Sequence, residues 1–389
     1  MQTNLKKYSL FSIYLLGFLF AFHTALPTYI SSSFLNVYIP ENLVGMIYVI
    51  ANFFAIFLFL TMPAVLRRYG NYKISLFLVI LNMFALLGLA FLQNPYFLIS
   101  LFLINSITIP LIYFSTDIFL ESFSADKSTG RIRGMYLTSV NLAWALSPFI
   151  SGLILINNEY WKIYLASFFL LAPMVIILVM NLKGFKDSKY ETFDVWETLK
   201  VVYKNKNLFN IFSANFMLAF FYSWMTIYTP LYLYKNIGFS WGEIGIIFSI
   251  MLLPFVLVQF PLGRLADKKL GEKEILTVGF IIAAISTGVI SFISSNNIFL
   301  WAAILFITRI GASAIEIMCD TYFFKKVNNS DVNIIGLYRM NSPLAYILAP
   351  FLATIVFTFT SFDIKYIFLV LGLVMFVGLK FSLSLQDTK

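Results

Sequence analysis

Apolar residues fall into long runs cut by short polar clusters, and a hydrocarbon core of ~30 Å takes about 20 apolar residues per helix. The pattern predicts twelve helices, over residues 9–33, 43–66, 74–93, 96–123, 133–156, 162–183, 208–234, 241–266, 274–294, 298–324, 334–360 and 364–385. The longest polar segment, Lys183 to Asn207, lies near mid-chain and separates six spans from six. The expected organisation is an N-terminal six-helix half (1–183), a cytoplasmic linker (184–207) and a C-terminal six-helix half (208–389). Inside the linker, Phe193, Trp196, Leu199 and Val202 recur every three residues amid Asp194, Glu197, Lys200 and Lys204. That spacing predicts a short amphipathic helix on the membrane surface, or a linker that merely covers the cytoplasmic face.

Composition agrees with the pattern. Of 389 residues, 60% are hydrophobic, 19% aromatic and only 12% charged, and mean hydropathy is +0.86. A soluble domain carries roughly 25% charged residues, so a soluble protein, a disordered chain, a disulfide scaffold and a nucleic-acid binder are all excluded. Cys319, the single cysteine, has no intrachain partner to pair with.

The net charge of +9 gains meaning from its placement. With the N-terminus inside, 23 of the 27 Lys and Arg residues fall in cytoplasmic segments, Lys162, Lys235 and Lys365 fall outside, and Arg309 lies within a span. This asymmetry follows the positive-inside rule helix after helix, and it puts both termini in the cytoplasm. Lys6 and Lys7 before the first apolar run imitate a signal peptide. That run is too long and lacks a small-x-small cleavage site, so it is expected to remain as a span.

The halves are related by an internal repeat. Pro27-Thr28-Tyr29 matches Pro230-Leu231-Tyr232, Val44 to Tyr48 matches Ile244 to Phe248, and Asp117 matches Asp320. Gly134, Tyr136, Ala143 and Pro148 match Gly336, Tyr338, Ala345 and Pro350. Near-constant offsets of about half the chain predict two pseudo-symmetric six-helix halves.

The segment Gly263 to Glu274, GRLADKKLGEKE, resembles the loop signature G-x-L-A-D-[RK]-x-G-[RK] of the major facilitator superfamily, with one extra residue before Gly271. In that motif Gly263 would let two helices approach. Asp267 would accept hydrogen bonds at a helix N-terminus, where the dipole favours an anion, and Lys268 and its neighbours would hold the loop at the headgroups. The matching loop of the first half keeps Gly70 and the basic Arg67, Arg68 and Lys73, with Arg67 in the acidic position. Span 4 ends in Asp117 and Glu121, so the charge signs read as exchanged and Arg67 is expected to face Asp117; ordinary headgroup-level charges are the alternative. In the second half Lys325 and Lys326 end span 10 and would answer Asp267.

Spans 5 and 11 resemble the antiporter-type helix pattern of the same superfamily. Span 5 carries Gly134, Ala143, Ser147-Pro148 and Ser151-Gly152; span 11 carries Gly336, Ala345, Ala349-Pro350 and Ala353-Thr354. Small residues on one stripe also let any two membrane helices pack closely, so the resemblance tips the expectation only slightly toward export.

Charge inside the bilayer is expensive, at least ~2.5–3.5 kcal/mol per residue near the centre. Arg309, Ser313, Glu316 and Asp320 fall on one stripe of span 10, with Glu316 about 10 Å beyond Arg309 at ~1.5 Å per residue. The family resemblance implies that spans 1, 4, 7 and 10 line a central cavity, and the matching stripe of span 4 holds Ser106, Pro110, Tyr113 and Asp117. A Glu beside an Arg stays ionised, whereas one alone in apolar surroundings is pushed toward its protonated form. Arg309 and Glu316 are therefore expected to pair, either as a proton-coupling device or as a permanent strut. His23, the only histidine, is a second proton carrier or a hydrogen-bonded scaffold. Span 7 adds Asn215, Tyr222, Trp224, Thr226 and Tyr228 as cavity or packing residues.

No metal-ligand spacing, phosphate loop or Ser-His-acid set is present in the sequence, so no cofactor and no metal are expected. The reading is an all-α integral membrane protein in the plasma or inner membrane. It would move a small solute by alternating access, driven by protons, as a monomer in the lipid bilayer with no nucleic-acid partner. The resemblance covers nearly the whole chain, but the sugar-porter Pro-Glu-Ser-Pro-Arg after span 6 and the peptide-symporter Glu-x-x-Glu-Arg in span 1 are missing. The competing readings are an intramembrane enzyme acting on lipid or isoprenoid substrates, which lacks an Asp-Asp-x-x-Asp-like group here, and a transporter-like sensor without turnover.

Overall fold

The computed structural model describes residues 2–92, 94–123, 129–155, 159–187, 195–266, 270–327, 332–360 and 363–386. These residues are almost entirely helical, with no strand among them. The chain divides into two compact units, Met1–Thr192 and Phe193–Lys389.

The first unit holds α1 (Gln2–Thr28), α2 (Ser31–Tyr38), α3 (Glu41–Tyr69), α4 (Asn71–Phe91), α5 (Pro95–Phe123), α6 (Thr129–Ile154) and α7 (Tyr160–Ile177). The second holds α8 (Val195–Lys204), α9 (Lys206–Leu231), α10 (Trp241–Leu257), α11 (Gln259–Leu265), α12 (Glu272–Ile290), α13 (Ile298–Lys326), α14 (Val332–Arg339), α15 (Asn341–Phe359) and α16 (Lys365–Leu383). A π-helical turn extends α7 over Leu178–Leu182, and another extends α9 over Tyr232–Ile237. Among the described residues, 11 helices are long and apolar enough to cross a membrane, and Thr138–Ile154 in α6 is a shorter apolar stretch.

Each unit repeats the same internal pairings. In the first, α1 packs on α5, α6 and α7, α4 packs on α5 and α7, and α3 packs on α5. In the second, α9 packs on α13, α15 and α16, α12 on α13 and α16, and α10 on α13. The sequence repeat is thus accompanied by a repeat of packing. On α6, Ala143, Ser147 and Ser151 are buried, and the Ser151 hydroxyl donates to the Leu26 carbonyl of α1 at 2.7 Å. On α15, Ala345, Ala349 and Ala353 are buried, and the Trp224 indole of α9 donates to the Ala349 carbonyl. Each small-residue stripe thus makes a hydrogen-bonded contact with a helix of its own unit.

Three of the expected spans are broken. Span 1 turns at Tyr29 and Ile30, just past Pro27, before α2 begins. Span 8 breaks at Val258 between α10 and α11, and span 11 breaks at Met340 between α14 and α15. Pro261 and Pro343 are each the third residue of the new helix, where a missing N–H costs nothing; in an uninterrupted helix each would leave a carbonyl four residues back unpaired.

Two glycines mark equivalent helix starts. Gly70 before α4 has φ +80° and Gly271 before α12 has φ +87°, a region that favours glycine. The next residue is buried in both, Asn71 in one and Glu272 in the other. The Asn71 backbone N–H donates to Asp187 Oδ1 at 2.8 Å, and its side-chain amide donates to the Ser115 carbonyl of α5 at 2.9 Å. Glu272, 1% exposed, accepts from the Lys325 ammonium at the end of α13. The loop chemistry therefore departs from expectation. Arg67 is exposed and no ion pair joins it to Asp117 among the described residues; the carboxylate at that loop is Asp187. A Cβ placed at Gly263 would meet nothing within 4 Å among the described residues, so the expected close helix approach at Gly263 is not seen there. Asp267 and Lys268 lie outside the described residues, as do the side chain of Glu121 and the surroundings of Gly134.

Helix α8 packs on α9 and α14 through buried Thr198 and Val202, leaving Trp196, Leu199, Tyr203, Lys200 and Lys204 exposed. Val202 thus belongs to the protein-facing side, contrary to the three-residue reading, because helical neighbours recur at intervals of three and four. Phe193 and Asp194 lie outside the described residues.

Candidate functional site

Helix α13 is held by a backbone seam. A Cβ at Gly311 would lie 2.6 Å from the Ala283 nitrogen and 2.7 Å from the Gly279 carbonyl of α12. Close backbone approach of this kind substitutes for the hydrophobic drive that lipid removes. It fixes α13 two residues beyond Arg309.

Arg309 is 1% exposed, a charge enclosed at roughly 16 Å along a helix whose rise is ~1.5 Å per residue. Its guanidinium carbon lies 5.0 Å from the ring centre of Phe221 and 5.6 Å from that of Tyr222, both on α9. Such cation–π contacts are worth up to about 2 kcal/mol when desolvated. They leave the donors unmet: Nε and Nη1 are buried without a hydrogen-bond partner.

Glu316 is half-buried, and its Oε2 accepts from the Tyr222 hydroxyl at 3.3 Å and from the Gln259 amide at 3.0 Å. The expected Arg309–Glu316 ion pair is absent among the described residues. The two charges are linked through Tyr222, whose ring faces the guanidinium and whose hydroxyl holds the carboxylate. Gln259 was not identified from the sequence. A lone amide in the apolar run VLVQFPL is the signal it offered, and it opens α11 where the break at Val258 turns the chain.

The other stripe residues have local duties. Ser313 is buried and returns its hydroxyl to the Ile310 carbonyl at 3.0 Å. Asp320 accepts from the Tyr338 hydroxyl at 3.1 Å, and the Tyr338 ring stacks on Phe323 with centroids 4.0 Å apart. On α9, Asn215 accepts from Asn341 at 2.9 Å, tying α9 to α15, while Trp224, Thr226 and Tyr228 are buried.

In the first unit, His23 is buried and enclosed by polar neighbours. Its Nε2 lies 3.0 Å from Asn82 Oδ1, and its Nδ1 lies 2.8 Å from the Phe20 carbonyl. The Asn82 amide donates onward to Asn105 Oδ1 at 3.0 Å and to the Thr108 hydroxyl at 2.7 Å. The network joins α1, α4 and α5, as a scaffold histidine would. Ser106 and Tyr113 on α5 are half-buried, and Tyr113 meets Phe20 edge-on at 4.7 Å.

Among the described residues no group of three or more His, Cys, Asp or Glu side chains could hold a metal ion. What the second unit presents is a buried cation, two aromatic faces and a hydrogen-bonded carboxylate, an arrangement suited to binding and proton exchange.

One protein family matches the sequence over most of its length. The family model of the Major Facilitator Superfamily matches residues 9–332 and again residues 211–387. An uncharacterized MFS-type transporter of Bacillus subtilis (strain 168), YfkF, is 27% identical over 240 residues; the match spans 58% of this chain and 56% of that relative's length. Among solved structures, a mutant of the nucleoside transporter NupG superposes with a TM-score of 0.74 at 14% identity, covering 97% of this chain and 100% of that one. A bacterial homolog of the human lysosomal transporter Spinster, in an inward-facing and occupied conformation, gives 0.73 at 12% identity, with 97% and 96% covered. At such identities the likeness of structures concerns the fold, and the family follows from the sequence match: the chain belongs to the major facilitator superfamily.

Proposed function

We propose that the protein is a proton-coupled secondary transporter of the plasma or inner membrane, a monomer of twelve spans with both termini inside, that exports a small solute by exposing its site alternately to the two sides. The observation that carries the coupling is the Glu316 carboxyl, held by Tyr222 and Gln259 within a membrane-length helix and near a buried arginine. Charge at that depth costs free energy, so a group able to take up and release a proton there has a functional reason to be retained. Export draws support from the antiporter-like stripes on α6 and α15. The exposed face of α8, with Trp196, Tyr203, Lys200 and Lys204, suits the cytoplasmic headgroup layer.

The test is transport by the full-length protein reconstituted in vesicles. With an imposed pH gradient and a panel of neutral, anionic and cationic solutes, at least one solute should move against its concentration gradient and collapse when the pH gradient is discharged. Failure of every solute both to accumulate and to exchange would overturn the reading.

A further inference from the structure

We propose that Arg309 binds the negatively charged group of the transported solute, so that the cargo is a small organic anion carrying a carboxylate or a phosphate. The inference rests on the transporter reading and adds the substrate class.

Guanidinium presents five N–H donors in a planar fork that fits two oxygens of a carboxylate or phosphate. At Arg309 two of the three nitrogens are enclosed with no acceptor. The aromatic faces of Phe221 and Tyr222 stabilise the charge but offer no oxygen to the donors. The nearest carboxyl on the stripe, Glu316, is held by Tyr222 and Gln259 instead. Buried charges in proteins are paired, and an orphaned one is costly. A cationic solute would be repelled in this low-dielectric setting, and a neutral one would leave the charge unmatched. An anion satisfies both the charge and the fork.

The surroundings of Arg309 suggest where an anion would enter. Arg309 is closed off, whereas Tyr222 and Glu316 beside it are half-exposed. An anion entering on that side would pass the Tyr222 ring, and displacing that side chain would disturb the hydroxyl that holds Glu316. Binding of cargo and the state of the carboxyl are thereby linked through one side chain.

Thermal unfolding of the purified full-length protein tests this independently of transport. Acetate, succinate, citrate, inorganic phosphate and glycerol phosphate serve as probes, each against chloride at equal ionic strength. At least one carboxylate or phosphate should raise the wild-type midpoint by a few degrees; the pattern across the probes tells the two chemistries apart. Arg309→Gln should abolish that shift. Arg309→Lys, which keeps the charge and loses the fork, should retain a reduced shift, and it is the deciding variant if Arg309→Gln does not fold. The proposal is overturned if no probe shifts the wild type, or if the shift survives unchanged in the variant that folds. Vesicles that accumulate only neutral or cationic solutes, with Arg309→Lys unaffected, would also overturn it while leaving the transporter reading intact.

Discussion

Gln259 donates a 3.0 Å hydrogen bond to the carboxylate of Glu316, from the first residue of a helix created by the break at Val258. Hydrogen bonds to charged groups contribute about 1.5–3 kcal/mol. Gln259→Leu should therefore leave the fold in place and lower the initial rate of proton-driven transport about tenfold, since ~1.4 kcal/mol is a factor of ten. A rate equal to wild type would mean that this amide does not position the carboxyl.

The two functions of Tyr222 can be separated. Tyr222→Phe keeps the ring over Arg309 and deletes the hydroxyl that reaches Glu316, so transport should fall while the unfolding midpoint stays near wild type. Phe221→Leu removes one aromatic face from a buried cation and should do the reverse, lowering the midpoint by an amount equivalent to about 1–2 kcal/mol. Equal effects of both substitutions on both measurements would refute the division.

The seam between α12 and α13 should be intolerant at one glycine and tolerant at another. At Gly311 a Cβ meets backbone atoms at 2.6 and 2.7 Å, and backbone cannot swing aside; Gly311→Ala should cost about 1–3 kcal/mol. At Gly263, where a Cβ meets nothing within 4 Å, the same substitution should cost nothing measurable. Unfolding midpoints of the two variants in detergent compare them directly, and a neutral Gly311→Ala would refute the packing argument.

Much of the fold was legible from the run lengths of apolar residues and from the mid-chain repeat, because the bilayer imposes a length on every helix and leaves little choice of element. The stripe of Arg309 and Glu316 was legible for the same reason: charge is conspicuous where it is expensive. What could not be read was the partner of each. Side chains on one helix reveal their common face, but the position of Tyr222 and Gln259 against that face depends on the relative rotation and slide of α9, α11 and α13. The loop carboxylates show the same limit. Asp187 lies more than a hundred residues from Asn71, and nothing in the charged segment around Glu272 marks that one carboxylate as buried.

Glu272 and Lys325 give a prediction of their own. Lys325→Ala removes the ammonium from a carboxylate that is 1% exposed and should destabilise by about 1–3 kcal/mol, discounted because the lysine itself is 40% exposed. Adding Glu272→Gln should recover part of the loss, since the buried charge is then gone. Strictly additive losses in a double-mutant cycle would show that the two residues do not interact.

The central claim is that Glu316 carries the coupling proton, and Glu316→Gln tests it most directly. The amide keeps the shape and can still accept a hydrogen bond, but it cannot titrate. In vesicles with an imposed pH gradient the variant should fail to concentrate solute, while exchange of solute down its own gradient continues at a measurable rate. A Glu316→Gln protein that still concentrates solute, with the pH dependence of the wild type, would contradict the account.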